Sequence, residues 1–130
     1  MINVKIKYIN DVISELEVKG HSNFAPKGSD IVCAGVSAIV VGVINAIISL
    51  VENQKVDYEV KDGYVKLNNL DNIEVQNILK VLIVQLKSVE DSYSKNIKIV
   101  EFFAQNVEIL DIFCKNLTKN YWQNKKMFLN

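Results

Sequence analysis

From Ile31 to Val51 the chain carries no charged side chain, and Asp30 stands immediately before that run. By length alone such a segment meets the requirement for a bilayer-spanning helix. Three features argue for a core helix instead. Ser37, Asn45 and Ser49 interrupt it, neither end carries a Trp/Tyr belt or a Lys cluster, and Asp30 is a residue type that caps helix N-termini. A helix apolar on nearly every side must be covered on more than one side. Its own sheet supplies one cover, and a second copy of the chain in a homodimer is the economical candidate for the other.

The segments around this helix predict what it packs against. Ile2 to Ile9 alternates, with Ile2, Val4, Ile6 and Tyr8 on one face, and Val12 to Lys19 alternates again after the turn-prone pair Asn10-Asp11. Together they predict an antiparallel hairpin. Gly20 to Ser29 breaks every periodicity and is read as a loop. Val56 to Val60 and Tyr64 to Leu67 predict a second hairpin through Lys61-Asp62-Gly63. Asn72 to Val89 has apolar residues at helical spacing, Val75, Ile78, Leu79, Leu82, Ile83 and Leu86, and Asn96 to Val100 is read as a last strand. The order is β-β-α-β-β-α-β, a single small α+β domain over residues 1–100. Phe103, Val107, Leu110, Cys114, Leu117 and Tyr121 recur at intervals of three and four, so residues 101–130 are assigned to an added C-terminal helix.

Composition excludes more than it proposes. Fifteen basic residues balance fifteen acidic ones across 130 residues, and every base is Lys. Nucleic-acid binding through a basic face is therefore not expected. Two cysteines and no signal-like N-terminal segment point to a reducing, cytoplasmic setting, with no membrane partner. His21, Cys33 and Cys114 fall short of a four-ligand metal set and lack its spacing, and no glycine-rich phosphate loop is present, so neither metal nor cofactor is expected.

The chemistry-bearing residues gather at the start of the long helix. His21 is the one histidine, beside Gly20 in the irregular loop, and Cys33 lies in the helix's first turn. Nucleophilic thiol catalysis needs a thiol that can be deprotonated and a base to hold its proton. Cys33 would attack a carbonyl, and His21 would take the thiol proton and later protonate the departing amine. Backbone amides of Cys33 and Ala34, at the positive end of the helix dipole, would face the developing oxyanion. Asp30 either caps the helix or orients His21. Ser37, one turn beyond Cys33, either hydrogen-bonds near the site or satisfies a backbone carbonyl. Cys114, within the apolar stripe of the tail, is read as a packed residue.

The run Gly20-His21, then Asp30-Ile31-Val32-Cys33-Ala34 and Val36-Ser37-Ala38, with Val43-Ile44-Asn45-Ala46 beyond, resembles the ribosomal-processing cysteine proteases of the Prp family. The likeness spans about residues 1 to 100. It implies a homodimeric endopeptidase that removes an N-terminal extension from a precursor of a large-subunit ribosomal protein, with His21 and Cys33 as the dyad and Asp30 and Ser37 at accessory positions. It also implies that the loop containing Gly20, Ser22 and Gly28 covers the substrate, with the two glycines as hinges. Cleavage sites in that family are of Phe-Phe-Ala type, and Phe102-Phe103-Ala104 is similar, which is read as a coincidence within an apolar helix against the alternative of self-processing. The competing reading of the whole chain is a non-catalytic dimer that binds ribosomal components during assembly, with His21 and Cys33 merely packed.

Overall fold

The computed structural model describes residues 1–105. The elements are β1 (Ile2–Ile9), β2 (Val12–Lys19), α1 (Ile31–Leu50), β3 (Asp57–Lys61), β4 (Tyr64–Asn68), α2 (Ile73–Ser92) and β5 (Ile97–Ala104). They follow the expected β-β-α-β-β-α-β order. The strands form one five-stranded sheet in the order β3-β4-β2-β1-β5, antiparallel except for the β1–β5 pair.

Local chemistry sets the first hairpin. Asn10 and Asp11 have φ of 51° and 64°. Both lie in the left-handed region that a two-residue turn matching strand twist requires, and these residue types tolerate it. The register shifts between Lys7, opposite Glu15, and Tyr8, opposite Ile13, leaving Ser14 as an extra residue whose hydroxyl donates to the Lys7 carbonyl at 3.1 Å. The simple alternation expected of β2 is therefore broken by a bulge. It explains why Ile13, Leu16 and Val18 are all buried although the first gap is three and the second two.

One face of the sheet is covered and the other is wet. Ile2, Val4, Ile6, Leu16, Leu67 and Ile97 point into a single core shared with both helices. Helix α2 contributes Val75, Leu79, Leu82 and Leu86, each with 0% exposure, and each such side chain gains about 1.5–3 kcal/mol from leaving water. On the opposite face the register places Lys5 beside Glu17, Lys7 beside Glu15, Glu17 beside Lys66 and Lys66 beside Glu59. These alternating columns of charge favour this register over a slipped one.

Helix α1 is long and apolar enough to cross a membrane by length and composition. Its Val36, Val40, Ile44 and Ile47 stripe is built into the core shared with α2, and Val32 is buried one turn before it. The stripe through Ala34, Ser37, Ala38, Val41, Asn45 and Ile48 remains exposed.

Strand β5 corrects the expectation for the tail. It continues through Ala104, pairing Lys7 with Phe102, Tyr8 with Phe103 and Ile9 with Ala104, so residues 101–104 are strand and not the start of a helix. The physical reason is a waiting partner: β1 presents free backbone as far as Ile9, and the Phe103 ring stacks on Tyr8 at 4.7 Å with 7° between planes. Burial first, and then the Glu101 carboxylate, push the Tyr8 hydroxyl up to about 12, so it stays protonated. The expected C-terminal helix and Cys114 lie outside the described residues.

Candidate active site

The starts of β1, β4 and β5 and the ends of β2 and β3 share one end of the sheet, where β2 leads into α1 through the loop 20–30. A cavity of about 630 Å³ opens there between that loop, the first half of α1 and the β3–β4 hairpin. Its floor is apolar, made by Ile2, Val18, Val36, Val40 and Val65. His21, Cys33, Asp30, Ser37, Gly20 and Gly28 all reach its lining, so most of the residues singled out by sequence converge on one concavity. Ser22 does not line it.

The start of α1 is organised around Asp30. One carboxylate oxygen accepts from the amides of Val32 at 3.0 Å and Cys33 at 2.9 Å, which is N-capping. The other accepts from the Ser22 hydroxyl and from the amides of Phe24 at 3.1 Å and Ala25 at 3.3 Å. Of the two roles left open for Asp30, its hydrogen bonds realise the cap; it also knots the loop onto the helix. Desolvation alone would raise the Asp30 carboxyl, but hydrogen bonds from Ser22, Cys33, Ala25 and Phe24 outweigh it and hold the group down at about 2.

Two sequence expectations are corrected by this knot. The first-turn amides are not free: Cys33 donates to the Asp30 carboxylate and Ala34 donates to the Asp30 carbonyl at 3.0 Å. Both N–H groups already have acceptors, and the positive helix terminus is met by a full negative charge before any ligand arrives. Ser22, expected to face substrate, is only 1% exposed, and its hydroxyl is spent on Asp30. It anchors the loop; the exposed residues Asn23, Lys27 and Gly28 are the part that lines the cavity.

Cys33 is half-buried at the third position of α1, facing the cavity. The exposed His21 ring rests on Gly63, where a Cβ would lie 2.7 Å from Nε2, so the imidazole occupies the space of the missing side chain. Gly63, with φ of 68°, thus serves the hairpin turn and the ring at once. Gly20, at φ of 103°, is equally constrained: a Cβ there would meet the Met1 carbonyl oxygen at 2.5 Å. Its amide donates to the Gly63 carbonyl at 2.9 Å.

Sequence reading missed the far wall. Val60, Lys61, Asp62, Gly63 and Tyr64 face the helix across the cavity, and Lys27 reaches Asp62 at 3.6 Å across its mouth. The Lys61-Asp62-Gly63 turn was legible as a turn, but its place opposite Cys33 follows only from the strand order.

Comparison with known proteins shows the family to which the chain belongs. The family described as Cysteine protease Prp matches residues 1–98. The chain belongs to the Prp cysteine protease family. The ribosomal processing cysteine protease Prp of Staphylococcus aureus (strain Mu50) is 36% identical over 104 residues, covering 76% of this chain and 97% of that protein. The Bacillus subtilis protein of the same description is 33% identical over 107 residues, covering 76% and 96%. The crystal structure of the S. aureus ribosomal processing protease Prp with a covalently linked product peptide superposes with a TM-score of 0.72 at 36% identity, covering 78% of this chain and 99% of that one. The S. aureus Prp structure therefore shares this α+β fold, and the family match ends at residue 98, just inside β5.

Proposed function

We propose that this Prp-family chain is a cysteine endopeptidase that removes the N-terminal extension of a large-subunit ribosomal protein during ribosome maturation, with Cys33 as nucleophile and His21 as general acid and base. The observation that carries the reading is that the lone histidine and the cysteine at the start of α1 line the same cavity. The cavity's volume and apolar floor suit a short peptide segment.

The thiol of Cys33 gives its proton to His21 as sulfur bonds to the scissile carbonyl carbon. The tetrahedral intermediate collapses, the C–N bond breaks, and the imidazolium returns the proton to the departing amine. Water then attacks the thioester with His21 taking its proton, the C–S bond breaks, and the thiol is restored. The Cys33 and Ala34 amides both donate to Asp30, so their service to the oxyanion would require those bonds to be released. The imidazole leaves its rest on Gly63 to meet the thiol, a side-chain rotation that substrate entry would favour. Thiol catalysis by this route uses no cofactor.

The working unit is proposed to be a cytoplasmic homodimer that contacts its ribosomal-protein precursor directly and neither nucleic acid nor membrane. Supporting the dimer, α1 exposes Val41 at 38% and Ile48 at 44% along its outer stripe. Ile48→Glu should shift the sedimentation of the wild-type protein toward the monomer.

A peptide carrying the ribosomal-protein extension tests the activity. The wild type should cut it, while Cys33→Ala and His21→Ala should not; equal cleavage by Cys33→Ala would overturn the assignment. Slow alkylation of Cys33, no faster than free cysteine, would favour the non-catalytic binder.

A further inference from the structure

The backbone around His21 is held on both sides. Before it, the Gly20 amide donates to the Gly63 carbonyl at 2.9 Å; after it, the Ser22 carbonyl accepts from the Asn96 side-chain amide at 3.0 Å. Asn96 is distant in sequence, in the short connection between α2 and β5. It is rigidly placed there: its own amide donates to the Tyr93 carbonyl at 2.8 Å, and its carbonyl accepts from the Ile2 amide at 2.9 Å as β1 begins. Beside it, the Phe24 ring meets Tyr93 edge-on at 5.5 Å and 83°. The loop bearing the histidine is thus fastened to the sheet at Gly63 and to the α2–β5 connection at Asn96, with the Asp30 knot between.

We propose that Asn96 is a positioning residue for His21, fixing the His21–Ser22 peptide so that the imidazole swings between Gly63 and Cys33 about a stationary backbone. The inference rests on the Cys33–His21 reading and extends it. A general base must reach its proton within hydrogen-bonding distance, and a misplacement of about 1 Å can cost on the order of 10²-fold. The donor is the essential feature. In Asn96→Asp the shape is kept, but an acceptor replaces the donor and faces the Ser22 carbonyl. Asn96→Ala removes the donor without adding charge.

The test uses the whole chain and two readouts, the pH dependence of Cys33 alkylation by iodoacetamide, mapped by mass spectrometry, and the kinetics of peptide hydrolysis. Asn96→Asp and Asn96→Ala should each lower alkylation at neutral pH and kcat by about 10-fold, with KM within about twofold. In a His21→Ala background, adding Asn96→Asp should have no further effect, because the amide acts only through the histidine. A wild-type alkylation rate in Asn96→Ala overturns the proposal, as does an equal loss from Asn96→Asp with and without His21, which marks a purely structural role. Equal alkylation of the wild type and His21→Ala is a separate outcome: it removes the Cys–His reading itself and the inference with it.

Discussion

The two helices begin at opposite ends of the sheet, and their first turns are built alike. Asp30 accepts from the amides of Val32 and Cys33; Asn72 accepts from the amides of Glu74 at 2.9 Å and Val75 at 3.2 Å. Cys33 and Val75 therefore hold the same position relative to their caps. Val75 is fully buried, whereas Cys33 lies half-buried against an open cavity. The hubs differ too. At the α2 end, Gln76 is 6% exposed and clamps the bulged strand, accepting from the Ile13 amide at 3.0 Å and donating to the carbonyls of Ile13 at 2.8 Å and Leu70 at 2.5 Å. At the α1 end the hub is the ionised, partly exposed Asp30, holding a loop. One end spends its polar groups on the core, the other on the loop at the rim of the cavity.

Exchange of roles at the matched positions breaks this comparison most directly. Cys33→Ala should abolish peptide hydrolysis, a loss of at least about 10³-fold, with the denaturant midpoint nearly unchanged. Val75→Ala should do the reverse, costing about 1–3 kcal/mol of stability by chemical denaturation while the folded protein keeps its activity. Comparable losses of activity from both would show that the two helix starts are not functionally distinct.

The next effect isolates the clamp. Gln76→Leu keeps the bulk but leaves the Ile13 amide and two carbonyls without partners in the core. At about 1–3 kcal/mol for an orphaned buried group, the loss should exceed about 3 kcal/mol in urea unfolding. The kcat of the remaining folded protein should hold. A kcat that falls with stability would mean that the ends are mechanically coupled.

A smaller effect separates the two caps by charge. Because hydrogen bonding depresses the Asp30 carboxyl, its contribution to stability is complete above the unfolded carboxyl range near about 4 and is lost as pH falls toward 2. The amide resonances of Val32 and Cys33 should titrate with a midpoint near about 2, while Val75, capped by neutral Asn72, shows no such step. Asp30→Asn should erase the step at α1. An acid transition of equal size at both caps would contradict the assignment.

How far these ends were readable in the sequence follows from the range of each interaction. The Asn10-Asp11 turn, the Asp30 cap and the candidacy of His21 and Cys33 rest on local chemistry and were legible. What required the third dimension was not. The cavity wall at Val60 to Tyr64 depends on the strand order. The tie from Asn96 to Ser22 joins segments with no sequence signal linking them. The fate of the Cys33 amide depended on which of two open roles Asp30 took. Phe102 and Phe103 suit a helix stripe as well as a strand, and only the free backbone of β1 decides between them.

The same tripeptide yields the smallest expected effect, which is none. Phe102, Phe103 and Ala104 pair with Lys7, Tyr8 and Ile9 at the end of β1 remote from Ile2, whereas Ile2 and Cys33 line the cavity at the other end. An eight-residue strand spans about 23 Å, and the tripeptide's carbonyls lie within the ladder, so no rotation of His21 or opening of the loop brings that bond to the thiol of its own folded chain. Purified wild-type protein incubated beside Cys33→Ala should show identical intact masses. A fragment ending near residue 104 in the wild type alone would require the β1–β5 pairing to open. The sheet end clamped by Gln76 would then be the weaker of the two.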